Sequence, residues 1–288
     1  MRRALSGVVA AGMAVGAYAT LVEPTWLEVT APEIRLPGLP VAWDGVRIAH
    51  LSDLHLSRIV SARYLARCID MAMRAVPDLI LITGDFVTRS ERWIPRLPAL
   101  LSCLHAPHGV WGILGNHDHH VCAERVTAAV EAGGVRMLRN RHARLERGGE
   151  RLWLAGIDSM EGKQYRLSRG DQARVDQLMR RYLCEALSGV DPDGCRILLA
   201  HSPDIMPLAK TLGVDLVLSG HTHGGQVRLP LVGATVVPSR YGARYAAGLF
   251  HEGTTHLYVT RGLGVVRLPV RFLCRPELAI LTLRRGSR

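Results

Sequence analysis

The sequence lacks the features that mark several common classes of protein. Its six cysteines stand apart and form no C-x-x-C pair, a pattern typical of small buried side chains rather than of metal ligands or disulfide bridges. Aromatic residues make up only 5% of the chain, and no dense basic patch is interleaved with them. Sequence-specific binding of DNA or RNA is therefore not expected. No internal repeat or low-complexity segment divides the chain, so one globular domain is the first expectation.

Lysine is almost absent, although the chain is strongly basic. The formal net charge is +11, but Lys163 and Lys210 are the only lysines, so arginine supplies nearly all of the positive charge. Two interpretations stay open. The arginines reflect a GC-rich coding bias, or they attract anionic partners such as phosphates, nucleotides or acidic lipid headgroups.

The chain begins with an apolar run. Residues 4–22 carry no charge, follow Arg2 and Arg3, and precede Glu23 and Pro24. Such a run is just long enough to cross a hydrocarbon core of about 30 Å, although its alanine and glycine content makes it a weak span. Residues 1–22 are therefore predicted to be a membrane anchor, with a cleaved export signal as the main alternative and a buried helix as the third interpretation.

The same segment predicts where the protein lies and how the chain is divided. An anchor would hold the protein at the cytoplasmic membrane. Basic residues ahead of the span favour a cytoplasmic N-terminus, which would put the body of the protein outside the cytosol. Residues 23–45 include the proline-rich stretch "APEIRLPGLP" and are predicted to be a linker. Residues 46–288 would then form the globular domain.

From residue 46 onward, short apolar runs alternate with amphipathic segments. The stretches "VRIAHLS", "DLILITGD", "GVWGILGNHD", "CRILLAHSP" and "DLVLSGHTHGG" each predict a strand that ends in a polar loop. Helices are predicted over "SARYLARCIDMAMRAV" and residues 123–132 and 171–187, and a β-hairpin around Gly148 and Gly149. Residues 226–283 are predicted to be mostly short β-segments. Strands joined first by helices and later by hairpins indicate an α/β protein with mixed sheets and outer helices.

Polar side chains follow five of the predicted strands, where open α/β sheets hold their chemistry. Carboxylate, amide and imidazole donors without a thiolate suit Mn, Fe, Zn or Mg. They are too many for one ion, whereas two ions that share a bridging carboxylate would use them all. The candidates are Asp53 and His55 in "SDLHL", Asp85 in "GDF", Asn116, His117 and Asp118 in "GNHD", His201 in "AHSP", and His221 and His223 in "GHTH".

The ordered set "SDLH", "GD", "GNHD", a lone histidine and "GHTH" resembles the calcineurin-like metallophosphoesterase family over residues 47–283. The resemblance implies a four-layer α-β-β-α sandwich of two mixed sheets, with a metal site at the C-terminal ends of the strands. The continuation "GHTHGGQVRLP" and the apolar N-terminus are most similar to the membrane-associated bacterial branch. That branch includes a UDP-2,3-diacylglucosamine pyrophosphatase of lipid A biosynthesis and exported phosphoesterases of the cell envelope.

The resemblance also implies a role for each candidate. Two divalent ions (Mn, Fe or Zn) would be bound, and they would lower the pKa of a shared water and neutralise charge at phosphorus. Thr88 departs from the family pattern, which often has Asp or Asn three residues after the bridging aspartate. The implied roles are Asp53, His55 and His223 on one metal; Asn116, His201 and His221 on the other; Asp85 as the bridge; His117 as the catalytic group; and Asp118 as the residue that orients the His117 ring.

Outside these motifs, the sequence favours few further site residues. The polar loop over residues 159–171 carries Lys163 and Arg166, which are candidate substrate-binding residues. His119 and His120 follow the "GNHD" motif and are candidates to line the pocket. Asp158 closes an apolar run, and it either supports the site or caps a turn.

Three functional hypotheses follow, each with an anionic phosphorylated substrate or ligand and none with a specific nucleic acid. The leading one is a two-metal phosphoester or pyrophosphate hydrolase at the membrane, acting on a lipid-linked substrate such as UDP-2,3-diacylglucosamine. The second is an exported phosphodiesterase of the cell envelope. The third, from a different class, is a metal-stabilised binding module without turnover, in which the metal site would be closed. The sequence predicts no oligomeric state.

Overall fold

The computed structural model describes residues 2–159 and 171–286. Within these ranges the helices are α1 (Arg2–Ala17), α2 (Ala62–Arg74), α3 (Leu97–Leu101), α4 (Asn116–Val121), α5 (Ala123–Ala132), α6 (Gln172–Leu187) and α7 (Met206–Thr211). The strands are β1 (Glu28–Thr30), β2 (Glu33–Leu36), β3 (Arg47–Leu51), β4 (Leu79–Ile82), β5 (Val110–Gly112), β6 (Arg136–Met137), β7 (Arg141–Arg147), β8 (Glu150–Gly156), β9 (Arg196–Leu199), β10 (Leu216–Ser219), β11 (Arg228–Leu229), β12 (Gly233–Ala234), β13 (Gly248–Glu252), β14 (Thr255–Val259) and β15 (Glu277–Arg285).

Two large mixed sheets form the centre of the fold. The first has the order β1-β15-β3-β4-β5-β6, with β2 also paired to β15. The second has the order β13-β14-β10-β9-β8-β7. Strands β3, β4 and β5 run parallel to one another, as do β8, β9, β10 and β14, whereas β15, β7 and β13 pair antiparallel with a neighbour. The predicted mixed sheets are confirmed.

Side-chain alternation along the strands produces four layers, because successive residues of a strand point to opposite faces. In β4, Leu79 and Leu81 pack into the core between the two sheets, whereas Ile80 and Ile82 pack against α2, α3 and α5. In β10, Leu216 and Leu218 enter the same inner core, and Val217 packs on the side of α6 and α7. The fold is thus the predicted α-β-β-α sandwich.

Local signals in the sequence explain several elements. The hairpin β7–β8 turns at Gly148 and Gly149, whose φ angles of 56° and 78° suit the tight turn that joins two twisted strands. Ser61 begins α2 by accepting a hydrogen bond from the Tyr64 N–H, and Asp171 begins α6 in the same way from the Arg174 N–H. These elements lie where the sequence predicts them.

The structure differs from the sequence-based picture in the stretch over residues 23–45, which was predicted to be a linker. Strands β1 and β2 lie in this stretch, and both pair in parallel with β15. Ile34, Leu36 and Trp43 are fully buried in the core between the sheets. Prolines divide the apolar residues of this stretch into short groups, and its strands pair with a strand near the distant C-terminus, so its local sequence has the pattern of a linker.

The N-terminal segment is helical, and its C-terminal end contacts the domain. Helix α1 continues into a π-helical turn at Tyr18–Val22 and a 3₁₀ turn at Glu23–Thr25. Within residues 2–159 and 171–286, no helix is both long and apolar enough to cross a membrane.

Candidate metal centre

Five loops converge at the C-terminal edges of the two sheets. The loops after β3, β4 and β5 come from the first sheet, and those after β9 and β10 come from the second. Each is the polar continuation of a strand that is buried where it ends, so the strand fixes where its loop begins. The structure thereby brings together the seven predicted ligands, which are Asp53, His55, Asp85, Asn116, His201, His221 and His223.

One half of the cluster is built around Asp53. Asp53, His55 and His223 each offer a donor atom, and these atoms lie within 4.8 Å of one another. The His223 Nε2 is 3.3 Å from the Asp53 carboxylate, and the His55 Nε2 is 3.7 Å from it. The two histidine Nε2 atoms are 3.2 Å apart. This is the trio that the sequence assigns to one metal.

The other half is built around Asp85 and His201. The His201 Nε2 lies 3.3 Å from the Asp85 carboxylate and 3.0 Å from the Asn116 Oδ1. The His201 Nδ1 donates to the Thr83 carbonyl at 2.7 Å, which fixes the ring orientation and leaves Nε2 directed at the cluster. The His221 ring lies 4.9 Å from the His201 ring. Asp85 also lies 3.4 Å from the His55 Nε2, so its carboxylate stands between the two halves.

The backbone at the cluster is strained. Five of the seven predicted ligands adopt positive φ angles, in the left-handed region that costs a non-glycine residue about 1–2 kcal/mol. Backbone strain of this kind persists only where the surroundings impose it, and it concentrates at functional sites. These five residues are Asp53 (φ 53°), His55 (φ 48°), Asp85 (φ 58°), His221 (φ 69°) and His223 (φ 52°).

Electrostatics keep the two carboxylates ionised. Burial alone would raise the pKa of Asp53, but the rings of His223, His55 and His201 hold it well below its usual range. Burial likewise acts to raise the pKa of Asp85, and His201 and His55 outweigh it, so that the pKa is lowered. Both carboxylates are therefore anions at neutral pH, which is the form that binds a cation.

The histidines of the cluster divide into two kinds. Burial lowers the pKa of His221 to about 4 and also lowers that of His223 well below its usual value, so both rings are neutral. Burial also acts to lower the pKa of His201, but the Asp85 carboxylate raises it to about 10. Imidazoles bind metals in the neutral form, so His221 and His223 are ready to do so, whereas the His201 ring has to release a proton before its Nε2 can bind a cation.

The donor set fits divalent cations. Oxygen and imidazole donors without a thiolate suit hard or borderline metals. The His55 and His223 Nε2 atoms face each other across 3.2 Å beside the Asp53 carboxylate, an arrangement that a shared cation stabilises. The Nδ1 of His55 and of His201 is occupied by a hydrogen bond, to Thr88 and Thr83 respectively, which leaves each Nε2 as the free donor.

His117 lies beside the cluster, as the sequence predicts, but Asp118 does not contact its ring. The Asp118 carboxylate accepts from the backbone N–H groups of Gly115 and Val87 at 3.0 and 3.1 Å. It is fully buried, and burial raises its pKa to about 7. The predicted role of Asp118 in orienting His117 is therefore wrong: as the third residue of α4, Asp118 reaches back to the start of its own helix instead.

Thr88 contacts the His117 ring instead. Its hydroxyl lies 3.1 Å from the His117 Nδ1 and 2.8 Å from the His55 Nδ1, so one side chain joins a predicted ligand to the predicted catalytic group. The sequence indicated Thr88 only as a departure from the family pattern.

Thr88→Val is expected to lower kcat about 10- to 100-fold, because loss of a partner behind a metal-binding histidine typically has effects of this size. Valine keeps the volume and removes only the hydroxyl. Thr88→Ser should restore most of the rate, and steady-state kinetics at saturating metal measure both. A Thr88→Val enzyme with parental kcat would show that the hydroxyl positions neither ring.

Glycines allow the loops to approach one another closely. A Cβ at Gly220 would overlap the Ser52 hydroxyl and the Asp53 carboxylate, and a Cβ at Gly115 would overlap Asp85. Gly262 and Gly264 lie in the same way against Asp53 and the backbone after it. These four positions therefore require glycine, because any side chain there would overlap a metal-binding residue or its backbone.

Gly220→Ala is expected to lower the free energy of unfolding by about 1–3 kcal/mol, because the added methyl overpacks a closed site. It should also weaken metal binding, since Asp53 has to move. Chemical denaturation and metal titration measure the two effects. Gly16→Ala is the control, because a Cβ at Gly16 meets nothing within 4 Å. Equal stability and metal affinity in both variants would contradict the packing argument.

Arg271 is a site-building residue that the sequence does not reveal. Its side chain is fully buried, and its guanidinium donates to the carbonyl groups of His223, Arg261, Gly262, Gly264 and Cys274. The Gly264 N–H in turn donates to the Asp53 carbonyl at 2.7 Å. Arg271 thus ties the loop that carries His223 to the loop that packs on Asp53. Burial lowers its pKa, and its isolated position in the sequence gives no signal of this role.

The cluster borders a cavity of about 1120 Å³. His120 and Asp158 line this cavity, whereas His119 lies behind it, 3.1 Å from the Asp158 carboxylate. Arg139 binds the same carboxylate at 2.8 Å. Lys163 and Arg166, predicted to bind substrate, lie outside the described residues.

Comparison with known proteins agrees with this arrangement. Residues 46–225 match the family described as calcineurin-like phosphoesterase. The uncharacterized metallophosphoesterase YkuE of Bacillus subtilis is 35% identical over 97% of this chain and 93% of its own. The phosphodiesterase YaeI of Escherichia coli is 30% identical over 92% of each chain. The UDP-2,3-diacylglucosamine pyrophosphatase LpxG of Chlamydia trachomatis is 27% identical over 96% of this chain and 95% of its own.

The order of the motifs, the two-sheet sandwich and these matches all indicate the same family of metal-dependent enzymes. The alternative of a metal-stabilised module without turnover does not fit, because the donors border an open cavity and the relatives are named as phosphoesterases and a pyrophosphatase. The chain belongs to the calcineurin-like phosphoesterase family and is a metal-dependent hydrolase.

Proposed function

We propose that the protein hydrolyses a phosphodiester or pyrophosphate bond in an anionic, amphiphilic substrate, with two divalent cations bound by the seven clustered side chains. The observation that carries the proposal is the cavity of about 1120 Å³, whose lining combines metal-binding donors with many apolar side chains. Ligand sites of this size commonly combine apolar walls with a few convergent polar groups.

The walls of the cavity come from three parts of the chain. Ile157, Val175 and Met179 line it on the side of α6, and Thr235, Val236 and Val237 line it from the region after β12. Val266, Leu268 and Val270 line it from the segment before β15. A purely polar nucleotide would leave most of this apolar surface without a partner, whereas an acyl chain or another apolar group would cover it.

Bound divalent cations supply Lewis-acid stabilisation of phosphoryl charge and lower the pKa of a coordinated water. The protein positions everything else. His117 stands at the edge of the cluster and lines the cavity. Burial lowers the pKa of its ring to about 4, so the ring is neutral near pH 7 and acts by donating a hydrogen bond to a phosphoryl or leaving-group oxygen. Its Nδ1 is held by Thr88, and its backbone N–H donates to Asp85 at 2.8 Å, so helix α4 and the bridging carboxylate are fixed relative to each other.

The first candidate substrate is UDP-2,3-diacylglucosamine, a nucleotide-linked lipid with a pyrophosphate. The Chlamydia trachomatis relative, named as its pyrophosphatase, aligns over nearly the whole chain. The arginine-rich composition and the apolar cavity suit an anionic lipid. Such a substrate is made in the cytosol, so this candidate requires the domain on the cytosolic face of the inner membrane.

The second candidate is a phosphodiester of the cell envelope. Arg2 and Arg3 precede the apolar run, a charge pattern that favours translocation of the body across the membrane. The Escherichia coli relative is named a phosphodiesterase. In both candidates, residues 1–22 associate with the inner membrane, and the side on which the domain lies separates them.

Hydrolysis assays with the metal-reconstituted protein test the proposal. Bis(p-nitrophenyl) phosphate reports diester chemistry, and UDP-2,3-diacylglucosamine reports the nucleotide lipid. Turnover of the nucleotide lipid supports the first candidate, and turnover of the diester alone supports the second. If neither compound is cleaved with Mn²⁺, Fe²⁺ or Zn²⁺, the proposal is wrong.

A further inference from the structure

A group of apolar side chains is exposed beside the opening of the cavity. They belong to the β11–β12 hairpin and its continuation, and to the loop over residues 266–273. Leu231 is fully exposed, and the exposed fractions of Val232, Val236 and Leu268 are 68%, 72% and 66%. Scattered exposed apolar residues are ordinary, but a contiguous patch marks an interaction site. The apolar rim, as we call it, consists of Leu229, Leu231, Val232, Val236, Leu268 and Leu273.

Hydrogen bonds join the two segments of the apolar rim into one surface. The Arg228 N–H donates to the Phe272 carbonyl at 2.9 Å, and the Phe272 N–H donates to the Gln226 carbonyl at 2.9 Å. The Gln226 side chain also pairs with the backbone of Val266 through two hydrogen bonds, at 2.7 and 3.1 Å. Val236 and Leu268 line the cavity as well, so the apolar rim continues directly into the apolar walls around the metal cluster.

Positive charge borders the apolar rim, although not every arginine nearby supplies it. Of the seven arginines between residues 226 and 276, three pair with carboxylates and one, Arg271, is fully buried. Arg228 and Arg267 form no ion pair with a carboxylate of the described residues. An apolar patch bordered by unpaired arginines complements the surface of an anionic bilayer, where each basic residue contributes about 1 kcal/mol and apolar side chains enter the interface.

The N-terminal helical segment meets the domain at the same place. The Arg271 N–H donates to the Ala19 carbonyl at 2.9 Å, and the buried Glu23 carboxylate accepts from the backbone N–H groups of Leu273 and Cys274. Trp26 is half exposed beside this contact, with the Arg275 guanidinium 4.4 Å from its ring. Tryptophan is enriched where proteins meet the membrane–water interface. The apolar N-terminus therefore leaves the domain from the edge of the apolar rim.

We propose that the apolar rim docks on an anionic phospholipid bilayer and holds the opening of the metal-site cavity at the membrane surface. An amphiphilic substrate then moves from the bilayer along apolar side chains to the metal cluster. This contact is made by the catalytic domain itself, in addition to any contact made by residues 1–22. It does not depend on which phosphoester is cleaved.

Quenching of an added tryptophan by brominated lipids tests the proposal on the full chain. Leu231→Trp places the probe on the apolar rim. Val76→Trp is the matched control, because Val76 is 74% exposed and lies ahead of β4, at the end of the sheet opposite the metal cluster. Vesicles of phosphatidylglycerol and phosphatidylethanolamine, with and without brominated acyl chains, are compared, and the signal of the parent protein is subtracted.

The added emission of Leu231→Trp is expected to be largely lost with brominated vesicles, and that of Val76→Trp is expected to persist. Residues 1–22 are present in both variants. Bromine on the acyl chains quenches tryptophan at short range, so strong quenching at Leu231→Trp requires that the apolar rim enter the bilayer and not only that residues 1–22 bind the vesicle. Absence of quenching at Leu231→Trp, or equal quenching at both positions, would overturn the proposal. Conversion of a dimer to a monomer by Leu231→Glu/Val232→Glu without vesicles would also overturn it, since the apolar rim would then bind a second copy. No outcome requires turnover, so the result is independent of the proposed function.

Discussion

Asp85→Ala is expected to lower kcat by more than about a thousandfold and to reduce the amount of bound metal. The Asp85 carboxylate lies 3.4 Å from the His55 Nε2 and 3.3 Å from the His201 Nε2, so it is the donor placed to serve both halves of the cluster. It also accepts from the His117 N–H at 2.8 Å. Its removal therefore separates the two metal positions and releases the catalytic loop, whereas loss of an outer partner alone costs about 10- to 100-fold.

Two variants make this expectation specific to Asp85. Asp85→Asn keeps the volume and removes the charge, and it should fold like the parent while binding metal weakly. Asp70→Ala removes an exposed carboxylate that pairs only with Arg74 on the surface of α2, and it should keep full activity. Inductively coupled plasma mass spectrometry measures the metal content, and diester hydrolysis measures kcat. Parental kcat and metal content in Asp85→Asn would contradict the bridging role.

His117→Ala is expected to lower kcat by about 10²–10³-fold and to leave the metal content unchanged, because loss of one hydrogen-bond donor to the developing phosphoryl charge has an effect of this size. The contact between His117 and Asp85 is made by the backbone N–H, which alanine retains. Only the ring, held by Thr88 beside the cavity, is removed.

The metal content is the informative part of this experiment. A ring nitrogen of His117 lies within 4.8 Å of donor atoms of His55 and Asp85, so geometry alone also permits His117 to be a ligand. His120→Ala is the matched control, since His120 lies on the same helix with its ring 6.2 Å from that of His117. If His117→Ala loses metal in proportion to its activity, His117 is a ligand and its assignment as a hydrogen-bond donor to the substrate is wrong.

The metal cluster could be predicted from the sequence because each of its donors follows a pattern of neighbouring residues. Each donor comes within a few residues after an apolar run, and a buried parallel strand ends at the same edge as its neighbours. His201 is an example. A lone histidine predicts no function by itself, but a histidine that follows the strand sequence "CRILLA" lies at the C-terminal edge of the sheet, where the other donors also lie. The positive φ angles at Asp53 and Asp85 come from how the loops meet, and no sequence pattern gives them.

The residues that support the cluster could not be predicted from the sequence in this way. Thr88, Thr83 and Arg271 act through contacts between segments far apart in the chain, such as the 118 residues between Thr83 and His201. The structure corrects the role of Asp118 because side chains of adjacent residues on a helix do not face each other, and that of Asp118 turns to the Gly115 and Val87 N–H groups instead of the His117 ring. A resemblance between motifs transfers residue types, but hydrogen-bond partners depend on the loops of the particular chain.

The same holds for the fold: elements set by neighbouring residues could be predicted, and elements set by distant residues could not. The hairpin at Gly148 and Gly149 is fixed by adjacent residues and lies where the sequence predicts it. Strands β1 and β2 pair only with β15, about 250 residues later in the chain, so a short apolar stretch between prolines has the pattern of a linker. Helix α4 is likewise missed, because "NHDHHV" has no apolar face and is set by the cap that Asp118 provides.

The central claim is that seven side chains bind two divalent cations that share Asp85, and electron paramagnetic resonance of the Mn²⁺-loaded protein tests it most directly. The account predicts two Mn²⁺ ions per chain and the multiline spectrum of an exchange-coupled pair, which Asp85→Ala should convert to signals of isolated ions. One ion per chain, or two ions without coupling in the parent protein, would contradict it.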